Sequence, residues 1–391
     1  MEKIKLVFVS GTRADYGKLK SLMQICDKDD DIDMHVYVTG MHLLPEYGFT
    51  YQDIVEDGYK HIHTPYMPIF SDKMDENIAY TILNFSRFIK ETTPDFIVVH
   101  GDRIEPLAAA IVGILNNIRV IHIEGGEVTG TVDEFIRHSV SKLSSLHFVA
   151  NEEAKFRLIQ LGERADSIHI IGSPDIDIML SEKLPTIDYV LKRYNIPFRE
   201  YGILIYHPVT TSNNLRGAVE QVIAAISQSD KNYVVIYPNN DHGTEIIQRE
   251  IENLKDRKRF FLCKSFPFED FLTLLKNSQF IIGNSSAGIR EACVYGIPAI
   301  DIGSRQNKRY LPSVLKNIQH TKEVTSQILA CIENIDGYRI KSTYFGDGKS
   351  ADHFLKVIKK EEYIHKDLQK VFIEMDATTK SIQNYINEVC F

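Results

Sequence analysis

A chain of 391 residues, 43% hydrophobic and 25% charged, has the composition of a globular protein and the length for two domains, each with its own core. Its formal net charge of −8 supplies no overall basic field, which argues against nucleic acid as a partner and leaves any phosphate ligand to local donors. The longest apolar run, at residues 107–115, is far short of a membrane span, Met1–Glu2–Lys3 leads straight into an apolar strand with no secretory leader, and the five cysteines are scattered without CxxC spacing. The expectation is a cytoplasmic protein with reduced thiols, no disulfide framework, no zinc site and no membrane partner.

Strand and helix patterns alternate along almost the whole chain. IKLVFVS (4–10) reads as a strand, and residues 11–26 as a turn and helix with Leu19, Leu22, Met23 and Cys26 at helical spacing. DMHVYVTG (33–40) is a second strand. Residues 80–90 read as a helix that stops before Thr93–Pro94, because a residue preceding proline avoids the α region. DFIVVHG (95–101), VIHIEG (120–125) and LHFVAN (146–151) are strands, separated by helices at 104–115 and 135–143. After a linker near 172–188 the pattern restarts. Strands GILIYHP (202–208), YVVIYPN (233–239), FFLCKSF (260–266), QFIIGNSS (279–286) and IPAIDIG (297–303) alternate with helices at 217–227, 268–276 and 287–295. The tail from 363 to 391 is helical in pattern, with Leu368, Val371, Phe372 and Met375 on one face. Strands joined through helices predict right-handed, doubly wound parallel sheets, and the doubling predicts two Rossmann-like domains with the active site in the cleft between them.

Ligands of such sheets bind beyond the carboxyl ends of the strands, so the turns there are where chemistry is sought. In SGTRADYGK (10–18), Gly11 lets the backbone approach a ligand, and Arg13 and Lys18 offer charge-assisted contacts to phosphate; a turn with solvated cations is the duller alternative. The GxGxxG fingerprint is absent there, which disfavours a dinucleotide. In HGDR (100–103), Asp102 reads equally as an acid at a strand end or as the N-cap of the next helix. In HIEGGE (122–127), Glu124 closes a buried strand and is followed by two glycines that clear space, so capping explains little of it. His100 and His122 fall in phase with strand residues and are equally readable as packed core histidines. Asp133, at the start of TVDEFIRHSVSKLS (131–144), suits a helix dipole and stands four residues before Arg137. Placed by strand ends, Asp102, Glu124 and Asp133 converge on one cleft. Like charges brought together do not stabilise a fold, so the convergence points to proton transfer.

In the second half, His207 of YHPVTTSNN (206–214) is placed to donate to a leaving phosphate. Ser285 and Ser286 of NSSAGIREA (284–292) sit where following amides can cradle a diphosphate, with Glu291 one turn on to accept ribose hydroxyls; an ordinary N-cap by Ser285 competes with that reading. Arg305 and Arg309 of GSRQNKR (303–309) are candidate phosphate contacts or a solvated loop.

In this order the motifs GTRADYGK, HGDR, HIEGGE, DEFIRHSVSKLS, YHPVT, NSSAGIREA and IPAIDIGSRQ resemble the hydrolysing UDP-N-acetylglucosamine 2-epimerases of bacterial sialic- and legionaminic-acid biosynthesis, over roughly residues 4–310. The resemblance implies a GT-B-like pair of Rossmann domains: 1–172 carrying the acid/base carboxylates and 173–365 binding UDP, with a C-terminal helix at 366–391 expected to pack back on the first. It implies catalytic Asp102, Glu124, Asp133 and His207, and UDP-sugar contacts from Arg13, Lys18, Arg137, Ser285, Ser286, Glu291 and Arg305. No metal or other cofactor is implied; a UDP-sugar is the substrate and a homodimer or homotetramer the expected assembly. The non-hydrolysing branch usually has a different sequence around the histidine and an Ala within HxEAG, where this chain reads YHPVT and HIEGGE, which favours hydrolysis. The same chemistry on a UDP-2,4-diacetamido-2,4,6-trideoxyhexose, a GT-B glycosyltransferase and a non-catalytic UDP-sugar sensor are the competing readings. Residues within 41–70 or 127–131 are where the two sugars would be told apart.

Overall fold

A computed structural model describes residues 3–45, 48–67, 69–71, 73–128, 132–209, 214–238, 243–255, 257–307, 309–360, 363 and 369–373. The chain divides into two compact units, one of Met1–Asp177 with Gly346–Phe391 and one of Ile178–Phe345. Each is built on one parallel sheet.

The first sheet has seven strands: β1 (Ile4–Ser10), β2 (Ile32–Val38), β3 (His61–His63), β4 (Phe96–His100), β5 (Arg119–Ile123), β6 (Leu146–Val149) and β7 (Ile168–Ile170). Their order is β3-β2-β1-β4-β5-β6-β7, and every neighbouring pair is parallel. Helices cover both faces, which is why the strands are continuous apolar runs and not alternations. Leu6, Phe8, Val98, Ile121 and Phe148 pack on one side with Leu19, Leu22, Met23 and Cys26 of the helix Arg13–Lys28. Val7, Val9, Ile97 and Val99 pack on the other with Phe85, Phe88 and Ile89 of the helix Met74–Thr92 and Ala109, Ala110 and Val112 of the helix Ile104–Leu115.

The second sheet has six strands: β8 (Gly202–Ile205), β9 (Tyr233–Ile236), β10 (Phe260–Cys263), β11 (Phe280–Gly283), β12 (Ala299–Ile302) and β13 (Ile318–Thr321), in the order β10-β9-β8-β11-β12-β13, all parallel. Leu204, Val235, Ile282, Ile300 and Ile302 form its core with Val219, Val222 and Ile226 of the helix Leu215–Gln228 and Ile328 and Ile332 of the helix Thr325–Glu333. Both strand orders reverse once, between β1 and β4 and between β8 and β11, and such reversal points open a crevice at the carboxyl edge of a sheet.

The two Rossmann-like α/β units are as expected; their boundaries are not. The first crossing falls at 177/178 and not at 172/173, and the chain returns to the first unit at Gly346, so residues 346–365 do not belong with the UDP-binding half assigned to 173–365. The cause is the helix Ser350–Ile358, whose Phe354 is fully buried against Phe8 and Phe148, with ring centroids 6.2 and 4.9 Å apart. Phe354→Ala is expected to cost the first unit about 3–5 kcal/mol, as loss of a buried aromatic does. Urea unfolding followed by far-ultraviolet circular dichroism measures this, and a loss below about 1 kcal/mol would detach that helix from the first core. Of the expected tail helix at 366–391, residues 369–373 are described and are not helical; Leu368, Met375 and the rest of that stretch lie outside the described residues.

Candidate active site

At the end of β1 the sequence builds a capping box. Thr12 is the N-cap of Arg13–Lys28 and accepts from the Asp15 amide at 3.3 Å, while the Asp15 carboxylate accepts from the Gly11 and Thr12 amides and from Ser10 Oγ, each at 2.9 Å. This fixes the turn of GTRAD. It leaves Arg13 exposed on the first turn and turns Lys18 inward, where its ammonium meets Asp175 Oδ2 at 2.5 Å, Ser173 Oγ at 3.1 Å and Glu124 Oε1 at 3.6 Å.

Glu124 follows β5, is buried, and holds φ at +60°, in the left-handed region that a side-chain-bearing residue seldom occupies. His100 at the end of β4 lies 3.0 Å from its Oε2, and Ser173 Oγ donates to its Oε1. Ser173 also contacts Asp175 Oδ1 at 2.6 Å, so one hydroxyl proton is shared between two carboxylates while Lys18 donates to the same oxygen. His100 therefore joins the cluster around Glu124, whereas His122 is a packed residue. Its Nε2–H donates to the Gly101 carbonyl at 2.9 Å, Ser141 Oγ is 3.0 Å from Nδ1, and burial pushes its pKa down to about 3.

Asp102 does not cap the helix Ile104–Leu115; Arg103 occupies that place with no side-chain capping bond. Asp102 instead forms an ion pair with Arg137, a buried residue on the helix Val132–Leu143, whose guanidinium also donates to the Glu127 carbonyl at 3.0 Å. Asp133 stands on the first turn of that same helix, one turn before Arg137, and is half-buried. The first unit thus gathers Asp102 with Arg137, and Glu124 with His100, Lys18, Ser173 and Asp175. Ser173 and Asp175 were hidden in sequence because they fall in the stretch read as a linker.

In the second unit the hub is Asn284, fully buried after β11. Its Oδ1 accepts from the His207 amide at 2.7 Å and its Nδ2 donates to the His207 carbonyl at 2.9 Å, tying the end of β8 to the end of β11. Arg305 and Gln306, after β12, both donate to its carbonyl, at 3.2 and 2.8 Å. Gly283 makes this approach feasible: with φ at +133°, a Cβ there would stand 1.9 Å from the Ile205 carbonyl oxygen. Ser285 Oγ accepts from the Ala287 amide at 3.3 Å, but Ser285 is not the N-cap weighed as its duller role: Ser286 holds that position before Ala287–Arg290, without a side-chain capping bond. Residues 287–295 form two helices, Ala287–Arg290 and Ala292–Tyr295, with half-buried Glu291 at the junction. Beside these turns a cavity of 430 Å³ opens among Tyr206, Gly303, Ser304, Asn307 and Lys322. Residues 210–213 of the YHPVTTSNN motif lie outside the described residues, as do 129–131 beside Glu127.

Metal-type donors gather elsewhere. Asp33 and His35 on β2 and His61 on β3 bring ligand atoms within 4.8 Å of one another, at the amino-terminal half of the strands and so at the opposite edge from the carboxylates. Cys26, Cys263, Cys293 and Cys331 are free thiols; Cys390 lies outside the described residues. Among the described residues no helix is long and apolar enough to cross a membrane.

The family model described as UDP-N-acetylglucosamine 2-epimerase matches residues 24–359. Over 378 residues, 95% of this chain and 99% of the relative, the sequence is 43% identical to the UDP-N-acetylglucosamine 2-epimerase of Neisseria meningitidis serogroup B. It is 35% identical over 361 residues, 91% of this chain and 95% of the relative, to the UDP-N,N′-diacetylbacillosamine 2-epimerase (hydrolyzing) of Legionella pneumophila. Among solved structures, that of UDP-GlcNAc 2-epimerase from Neisseria meningitidis bound to UDP-GlcNAc superposes with a TM-score of 0.77 at 19% identity, covering 91% of this chain and 99% of that one. At that identity the likeness shows the fold.

Proposed function

Because the chain belongs to the UDP-N-acetylglucosamine 2-epimerase family, we propose that it is a hydrolysing member, releasing UDP and free N-acetylmannosamine of the kind used in sialic-acid-type sugar assembly. The observation that carries this reading is the pair of carboxyl groups that follow the neighbouring strands β4 and β5: Asp102 paired with Arg137, and Glu124, at a positive φ, in contact with His100, Ser173 and Lys18. The HIEGGE and YHPVT motifs support hydrolysis over simple epimerisation, as does the likeness to a relative named as hydrolyzing.

In the α-linked substrate H2 and the UDP oxygen are antiperiplanar. One carboxylate takes H2, the C1–O bond breaks with its electrons leaving on UDP, and the C1=C2 bond of a 2-acetamidoglucal forms. H2 is weakly acidic, so C–O cleavage runs ahead and nearby carboxylates stabilise the cationic character at C1. Water then adds at C1, and a carboxylic acid returns a proton to C2 on the opposite face. Asp102, Glu124 and Asp133 share these two transfers. Arg13, Lys18 and Arg137 contact the UDP-sugar, Lys18 beside Glu124 and Arg137 beside Asp102, His207 donates to the departing diphosphate, and Ser285, Ser286, Glu291 and Arg305 hold the nucleotide. The carboxylates act as proton carriers, so turnover is expected to survive a chelator.

Incubation with UDP-N-acetylglucosamine alone in deuterated water, followed by proton NMR, tests the proposal. Free N-acetylmannosamine with deuterium at C2 and stoichiometric UDP is expected. Intact UDP-N-acetylmannosamine would make the enzyme non-hydrolysing, and no reaction without an acceptor would favour a glycosyltransferase. The Legionella relative gives a second reading, the same chemistry on UDP-N,N′-diacetylbacillosamine, and a parallel incubation with that sugar decides between them.

A further inference from the structure

Glu105 is a carboxyl that the proposed chemistry does not use. It follows Asp102 by three residues, on the first turn of the helix Ile104–Leu115, and is 6% exposed. Two glycines are shaped around it. A Cβ on Gly11 would stand 2.7 Å from Glu105 Cγ, and one on Gly40, whose φ is +59°, would stand 2.4 Å from Oε1. Glu105 Oε2 is buried without a hydrogen-bond partner. Burial pushes the carboxyl above its ordinary range and the charge of Asp15 adds to the push, against its own backbone N–H and Arg103. A neutral carboxyl in that place is an O–H donor awaiting an acceptor.

Glu105 lines a 70 Å³ pocket at the carboxyl edge of the first sheet, together with Thr39 and Gly40 after β2 and with Leu44, Met67 and Phe70. Two of the other polar lining groups are committed internally. Asn84 exchanges hydrogen bonds with the backbone of Met67, and Asn77 with that of Ser71, at 2.7–3.1 Å. The pocket has room for several waters, and so for a substituent of a few heavy atoms. Among the described residues its lining joins an apolar wall of Leu44, Met67, Ile69 and Phe70 to the hydroxyls of Thr39 and Tyr80 and to Glu105, which is its one carboxyl, and it holds no lysine, arginine or histidine.

We propose that this pocket is the subsite for an acetamido group of the substrate sugar, its methyl against Leu44, Met67 and Phe70 and its carbonyl oxygen accepting from the Glu105 carboxyl. The assignment rests on the proposed UDP-sugar function and adds to it the group that selects the sugar. A sugar bearing a charged group at that place is rejected for want of a counter-charge, and a plain hydroxyl leaves the apolar wall uncovered.

Calorimetric binding in an Asp102→Asn background, where ligand is consumed about 10²–10⁴-fold more slowly, tests the subsite apart from turnover. Glu105→Ala is expected to weaken UDP-N-acetylglucosamine about tenfold, the cost of a lost buried hydrogen bond, while UDP and UDP-glucose bind as before. The isosteric Glu105→Gln, which still donates an N–H, recovers most of that affinity. Thr81→Leu, which fills the pocket from the helix Met74–Thr92, weakens the acetamido sugar alone. Equal loss for UDP, a glutamine no better than alanine, or a Thr81→Leu protein with unaltered preference overturns the subsite. Because these readouts need no reaction, acetamido-selective binding in a protein that fails to hydrolyse would leave the subsite standing and sink the proposed reaction instead.

Discussion

Asp102→Asn is expected to lower turnover of UDP-N-acetylglucosamine by about 10²–10⁴-fold, the usual contribution of one general acid or base, while substrate affinity changes by no more than a few-fold. The substitution keeps shape and one acceptor oxygen for Arg137, whose guanidinium retains its bond to the Glu127 carbonyl, so the helix Val132–Leu143 stays docked. What is removed is the ability to carry a proton. UDP release under saturating substrate gives the turnover, and calorimetry with UDP-N-acetylglucosamine gives the affinity. Near-wild-type turnover would take Asp102 out of the chemistry. A matching loss of affinity and melting temperature would mean that the Asp102–Arg137 pair is structural, as buried ion pairs broken on one side often are.

The elements that were legible in sequence are those buried on both faces. IKLVFVS, FIVVH and RVIHI announce themselves because a central parallel strand has no polar side to interrupt it. The edge strands HIH, IHI and IQHT were not found, since a three- or four-residue strand with one neighbour needs no apolar run. The helix Met74–Thr92 was found short. Its start has no side-chain cap to signal it, whereas its end is marked by Pro94, which holds Thr93 out of the right-handed helix at φ +44°. The site divides in the same way. Asp102, Glu124 and His207 could be picked out as candidates because the carboxyl ends of parallel strands follow from topology. Their surroundings could not: Ser173 meets Glu124 across 49 residues of sequence and Asn284 meets His207 across 77, Asp175 and Gln306 join through Ser173 and Asn284, and Glu105 reads in sequence as one more first-turn acid.

Glu124 permits a sharper test of function against stability. Glu124→Gly and Glu124→Ala are each expected to lose at least about 10² in turnover, yet the glycine protein is expected to be the more stable by about 1 kcal/mol. Both remove the carboxylate and leave the same partners, His100, Ser173 and Lys18, to rearrange, so that cost cancels in the comparison. The backbone does not cancel. At φ +60° alanine keeps the clash between Cβ and the chain that glutamate endures, and glycine has none. Urea unfolding of the two variants reads the difference. If alanine equals glycine, the backbone at the end of β5 is unstrained; if either variant turns over normally, the carboxylate is dispensable. A glycine that is the more stable and is inactive means that the strain at position 124 is held for the reaction and not for the fold, because the fold alone would be better served without a side chain there.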